Sequence, residues 1–293
     1  MDQAERLRSL IDKLKSPVLE ISQTMRVISV TSGKGGVGKS NFSVNLAIYL
    51  ARANKRVIVI DADFGLANVE VLLGVSPKYS FRDVLTGRAT IAEALATGPE
   101  GIQFLSGGSG LTQLADVTES QLSVLLSGFK QLEEMADILL IDTGAGISKS
   151  VINFLKASHE IIVVTTGDPT SITDAYTVMK AISEDYDDAM GPPQLKIVIN
   201  RVENSKEGQE VFQRLHRVCG RFLKLNPANL GYIPYDKYLV RAVKSQEPVS
   251  LMYPASESSR SIEAISRRLL DEPEVSTIGI KRFVDRWLGF MTR

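Results

Sequence analysis

Six short runs of Val, Ile and Leu recur along this chain, each followed by a stretch with helical spacing. The runs are RVISVT, RVIVID, GIQFLS, DILLID, EIIVVTT and LKIVIN, with a weaker seventh at LGYIP. A strand wetted on one face alternates apolar and polar residues. Near-continuous branched runs are instead buried on both faces, as in a parallel sheet lying between two layers of helices. Six such units predict an α/β fold, a doubly wound and mostly parallel sheet with its site at the carboxyl ends of the strands. Ahead of the first run, Ala4, Leu7, Ile11 and Leu14 share one face of a short helix over residues 3–15. Ser16-Pro17 ends that helix, and the segment up to Met25 reads as a linker. The expected organisation is an N-terminal helical segment (residues 1–20), a main domain (25–272) that closes with a helix near Ser256 to Leu270, and a C-terminal amphipathic helix (273–293).

The first run leads into TSGKGGVGKSN, in which Gly33 to Ser40 fits G-x-x-x-x-G-K-[ST] between a strand and a helix. Gly33, Gly35, Gly36 and Gly38 let consecutive backbone N–H groups turn inward around phosphate oxygens. The helix that follows adds its positive end. Lys39 is placed to bridge β- and γ-phosphates, and the Ser40 hydroxyl to ligate Mg²⁺. Lys34 is not required by this motif; as a bare sequence feature it is either functional or a solvated loop lysine.

Two further runs end in carboxylates, Asp61 and Asp63 after VIVI and Asp142 after DILLI. At the carboxyl end of a parallel strand such groups reach the rim where phosphates bind, and oxygen ligands suit Mg²⁺. Lys+Arg and Asp+Glu each total 34, so no overall charge draws the chain toward nucleic acid. The single cysteine, Cys219, excludes a disulfide framework and multi-cysteine metal sites and reads as a buried, inert thiol. His159 and His216 lack the spacing of a metal or triad site. The polar start MDQAERLRSL and the lack of a run of about 18 apolar residues point to a cytoplasmic protein.

The string Lys34-Gly-Gly-Val-Gly-Lys-Ser40 resembles the deviant Walker A loop of the MinD/ParA family of ATPases. That resemblance implies an ATP-dependent homodimer in which Lys34 reaches the phosphates held by the other subunit, making Lys34, Lys39 and Asp63 the catalytic set. The nucleotide-binding set is Gly33 to Asn41, Val37 included. DADFGLANVEVLLG resembles switch I, with Asp63 positioning the attacking water and Asp61 supporting the metal. Asp142 resembles the Walker B aspartate, and Thr143 to Gly146 the switch II turn. In this family Asn200 contacts adenine, with Arg201 beside it, and Pro234, Tyr235 and Asp236 pack at the base. The cofactors implied are ATP and Mg²⁺.

DQAERLR at Asp2–Arg8, GKSN ending at Asn41, DTGAG and TTGDPTSITDAYTVMK are similar to the FlhG family of flagellar number and placement ATPases, although Gly167-Asp168 stands where Pro-Glu is commoner. The partners this implies are the FlhF GTPase, engaged through the Gln3 region, and flagellar C-ring proteins. The lesser alternative is an N-terminal helix docked on its own domain by Leu7, Ile11 and Leu14. In the tail, Ile280, Phe283, Val284, Trp287, Leu288, Phe290 and Met291 fill one helical arc of about 160° opposite Lys281, Arg282, Arg286 and Arg293. That pattern suits an in-plane helix on an anionic membrane, or a helix packed on the domain. Reversible membrane association follows from the first. A ParA-like ATPase positioning DNA or other cargo is the alternative, though no specific nucleic acid is expected.

Overall fold

The computed structural model describes residues 25–63, 68–108, 119–184 and 194–271 and, in the tail, Phe283, Val284 and Trp287, with the backbone alone for 119–126. Its strands are β1 (Arg26–Ser32), β2 (Val57–Ala62), β3 (Ala96–Thr97), β4 (Gln103–Leu105), β5 (Ile138–Ala145), β6 (Glu160–Thr166), β7 (Gln194–Val202) and β8 (Ala228–Pro234). The helices are α1 (Lys39–Arg52), α2 (Asn68–Leu73), α3 (Phe81–Leu85), α4 (Ile91–Ala94), α5 (Glu119–Met135), α6 (Lys149–Ala157), α7 (Pro169–Ser183), α8 (Ser205–Phe222), α9 (Lys237–Lys244), α10 (Val249–Met252) and α11 (Glu257–Asp271). The strands form one sheet in the order β3-β4-β2-β5-β1-β6-β7-β8. All its pairings are parallel except β3 with β4. Every apolar run of the sequence becomes a strand, the weak LGYIP run included. The antiparallel β3 has only two residues, too few to leave a periodic signal.

Parallel register decides which helices share a side. Ser29 of β1 lies beside Ile161 of β6, so the layer under Val27, Leu139 and Ile141 continues under Ile161 and Val163. On that side lie α3, α4, α5, α6, α7 and α8. Ile28, Val30, Leu140 and Ile162 face the other way, against α1, α2 and α11. Cys219 is buried in the first layer with its Sγ 3.7 Å from the Met179 sulfur, and burial pushes its thiol pKa up to about 11. It is inert, as expected.

At the amino ends of the strands a charged cluster is enclosed. Arg26 of β1 donates from Nε and NH2 to the two Glu160 oxygens of β6 at 2.8 and 2.9 Å, and Lys196 of β7 donates to Oε2 at 2.7 Å. Arg26 also donates to the Leu269 carbonyl near the end of α11 at 3.2 Å. Burial alone would raise the Glu160 pKa, but the Arg26 guanidinium and the Lys196 ammonium overcome it and hold the carboxyl below its ordinary value. A carboxyl depressed on folding stabilises the fold above the unfolded-chain value of about 4.3. That contribution fades as pH falls through the lower, folded value. Glu160→Gln leaves two buried cations without their anion and should cost on the order of 3 kcal/mol at pH 7. Urea midpoints should show this gap between the two proteins narrowing below about pH 4; a gap independent of pH would deny the cluster its electrostatic role.

Candidate functional site

The glycine loop leaves β1 at Ser32 and enters α1 at Lys39. Gly38 takes the N-cap position of α1 at φ +95°, a left-handed conformation suited to glycine, and supplies no side-chain cap. The N–H groups of the first helical turn are therefore left for a ligand. Gly33 answers a different need. A Cβ there would lie 2.2 Å from the Asp174 carbonyl carbon, so only glycine lets α7 close on the loop.

Lys39 and Asp142 form an ion pair at 3.0 Å, with side-chain exposures of 8% and 0%. Ser43, one turn after Lys39 on α1, donates to the same Asp142 Oδ1 at 2.7 Å. The other oxygen, Asp142 Oδ2, is buried without a hydrogen-bond partner among the described residues. Asp61 lies beside Asp142 across the β2–β5 pairing, fully buried. It accepts from the Asp63 and Val69 backbone N–H groups, each at 3.1 Å. Burial first, and the neighbouring Asp142 charge second, push the Asp61 pKa up to about 7. Two enclosed carboxylates, an unpartnered oxygen and the half-buried Ser40 hydroxyl suit a divalent cation with oxygen ligands.

Asp63 follows the end of β2. Asn68 Nδ2 donates to its Oδ2 at 3.3 Å, and its Oδ1 lies 3.8 Å from where a Cβ on Gly144 would project. It thus overhangs the turn after β5, which the Gly146 N–H ties to the Ser32 carbonyl at 2.8 Å. The switch I residues 64–67 lie outside the described residues. Lys34 is half-buried at the rim, and its Nζ donates to Thr170 Oγ1 on the first turn of α7 at 2.8 Å. The two loop lysines therefore occupy different settings, one closed against the sheet and one at the surface.

The base-side residues divide as well. Asn200 is buried; its Nδ2 donates to the Val37 carbonyl of the loop at 2.7 Å, and its Oδ1 accepts from the Arg201 N–H at 2.9 Å. Its amide thus joins β7 to the phosphate loop. Asp236 is also engaged in the scaffold. It caps α9 by accepting from the Tyr238 N–H at 2.8 Å and accepts from the Ser258 hydroxyl at 2.8 Å and N–H at 3.1 Å. Burial opposes its ionisation, but the hydrogen bonds from Ser258 and Tyr238 hold its pKa below the ordinary value. Arg201, at φ +57°, and Tyr235, 65% exposed, carry their side chains at the surface. Pro234 pairs with Val202 at the strand ends, and the Asn41 carbonyl accepts from Asn45 at 2.7 Å. Two contacts were not foreseen, Ser43 on Asp142 and Thr170 on Lys34. One helical turn separates Ser43 from Lys39, a legible signal. Thr170 had none, because its place depends on α7 packing against Gly33.

The tail is docked. Phe283, Val284 and Trp287 are buried in the layer of α5 and α6. Trp287 stacks on Phe154 at 5.0 Å between ring centres and meets Phe129 edge-on at 6.1 Å. Ile280, Leu288, Phe290 and Met291 lie outside the described residues, as do Asp2 to Arg8 and the rest of the N-terminal segment. No described helix is long and apolar enough to cross a membrane.

Comparison with known proteins agrees with this geometry. The CobQ/CobB/MinD/ParA nucleotide binding domain matches residues 28–249. The antiactivator FleN of Pseudomonas aeruginosa is 38% identical over 245 residues, 84% of this chain and 86% of its own length. The flagellum site-determining protein YlxH of Helicobacter pylori is 33% identical over 310 residues, covering 99% of both chains. Among solved structures, a chain of the MinC:MinD cell division complex of Aquifex aeolicus matches with a TM-score of 0.65 at 27% identity, covering 85% of this chain and 98% of its own. MinD of Pyrococcus horikoshii, solved with Mg-ADP, matches with a TM-score of 0.67 at 24% identity over 85% and 96%, and shares the fold. The chain thus belongs to the MinD/ParA family of nucleotide-binding ATPases and is similar within it to the flagellar proteins FleN and YlxH.

Proposed function

We propose that this chain is an ATP-driven dimerisation switch that hydrolyses ATP, attaches reversibly to the membrane and regulates flagellar number and placement. The observation that carries this reading is the separate setting of the two loop lysines. Lys39 is enclosed beside Asp142, where it serves the nucleotide of its own chain. Lys34 is at the rim on a neutral hydroxyl, a contact given up at little cost when the phosphates of a second copy come within reach.

In this mechanism the loop N–H groups and Lys39 bind and orient the β- and γ-phosphates. Ser40 and Asp142 would hold Mg²⁺, with Asp61 behind them, and the ion would offset charge on the transferring phosphoryl group. Asp63, steadied by Asn68, accepts a hydrogen bond from the attacking water and aims it. Lys34 from the second copy meets the charge that develops on the phosphoryl oxygens. Arg201 and Tyr235 flank the adenine, and Asn200 joins the base side to the loop.

The flagellar role is supported by the likeness to FleN and YlxH, the latter end to end. On this reading residues around Gln3 engage the FlhF GTPase, and C-ring proteins bind the ATP-bound dimer. Membrane attachment uses the tail, which must first leave its groove. Removing Phe283, Val284 and Trp287 from the core forfeits on the order of 5 kcal/mol, so a single tail gains little from lipid. Two tails on one dimer act at high effective concentration and gain about 100-fold if both reach one surface. Attachment then follows ATP occupancy.

Lys39→Ala should abolish productive nucleotide binding, and Asp63→Ala should retain binding and dimerisation while stopping turnover. Phosphate release at the normal rate from the Asp63 variant would remove it from the water-positioning role. Lys34→Ala should bind nucleotide as a monomer but lose the dimer seen with a non-hydrolysable ATP analogue in size-exclusion chromatography; an unchanged dimer reduces Lys34 to a loop residue. Deleting residues 276–293 should abolish ATP-dependent co-sedimentation with anionic liposomes, and equal sedimentation would leave the tail a packing element only.

A further inference from the structure

Overall charge balance hides a local concentration on α8. Arg214, Arg217 and Arg221 follow one another at spacings of four or fewer, and Lys224 lies just past the helix end. Arg217 and Arg221 lie across the helix from the buried Val211, Leu215 and Cys219, and Arg214 flanks them. All four are exposed, and none forms an ion pair among the described residues. The two acids of α8, Glu207 and Glu210, lie in its first half, and Glu207 accepts from the Glu203 N–H. Net charge cannot reveal such a group, because the helical period gathers residues that are separated in sequence.

Beside these cations Phe222 is 63% exposed, with the Arg221 guanidinium carbon 5.3 Å from its ring centre. A large apolar side chain held in water at the end of a basic helix is not explained by the core. Its place in the fold is informative. The layer that holds α8 also holds the docked tail residues. The end of α8 leads into the start of β8, so Phe222 adjoins the amino-terminal rim of the sheet, on the side of the sheet that also buries Phe283, Val284 and Trp287.

We propose that Phe222 together with Arg217, Arg221 and Lys224 is a second contact with an anionic bilayer, separate from the tail. Each cation near an anionic leaflet raises partitioning about fivefold. The phenyl ring then enters the headgroup region, where an aromatic side chain flanked by cations is stable. A duplex phosphate backbone would engage the cations and leave the ring wet. The proposal rests on the membrane reading of the tail only for the identity of its partner.

The test uses the full chain with Trp287→Phe and Phe222→Trp, which moves the single tryptophan to the stripe. With ADP and with a non-hydrolysable ATP analogue, the protein is mixed with phosphatidylcholine vesicles with or without one-third phosphatidylglycerol. Expected is a blue shift of emission with the anionic vesicles and quenching by brominated acyl chains. Arg217→Gln, Arg221→Gln and Lys224→Gln together should lower partitioning on the order of 100-fold. Unchanged emission overturns the proposal even when the protein sediments with the vesicles through its tail. Loss of sedimentation on deleting residues 276–293 bears on the tail alone. Emission that responds to duplex DNA and not to vesicles also overturns it and makes the stripe a nucleic-acid contact.

Discussion

The Lys39–Asp142 ion pair joins the glycine loop to the middle of the sheet, and the arrangement of the site follows from it. Asp142 is wholly enclosed and adjoins a second enclosed carboxylate, Asp61. Burial first, and the neighbouring Asp142 charge second, raise the Asp61 pKa, so two such groups do not both ionise cheaply. Lys39 and Ser43 answer one oxygen of Asp142, leaving the other buried without a hydrogen-bond partner among the described residues, as a metal ligand would be. A buried pair of this kind is poor evidence for stability. Its value is positional, since it holds the lysine where phosphates arrive.

The opposite rim carries a charged cluster of another sort. Arg26, Lys196 and Glu160 satisfy one another and the end of α11, so their chemistry is spent on the fold. One sheet thus has a satisfied polar end and an unsatisfied one, and the difference marks which end binds a ligand. Asn200 and Asp236 lie between these extremes. Each stands at a strand's carboxyl end, as ligand-binding residues do, yet each is hydrogen-bonded into the scaffold. Asn200 couples β7 to the loop whatever else it touches.

The tail carries one sequence pattern that suits two settings. An apolar arc facing cations suits a membrane surface and suits a groove, because both offer one apolar and one wet side. The aromatic contacts of Trp287 with Phe129 and Phe154 fill that groove in the monomer. A device that trades one apolar neighbour for another needs only a small bias, and ATP-dependent pairing would supply it.

The sequence by itself determined the parallel sheet, the phosphate loop and the three strand-end aspartates. These are local properties: a branched run is buried on both faces, and a glycine loop between strand and helix turns its N–H groups inward, wherever the rest of the chain lies. Tertiary structure alone decided that Asn200 braces the loop, that Asp236 meets Ser258 of α11, and that Thr170 receives Lys34. Each of these depends on distances between segments far apart in the chain, such as the approach of α7 that only Gly33 permits. Such distances come from packing, which composition and spacing do not encode.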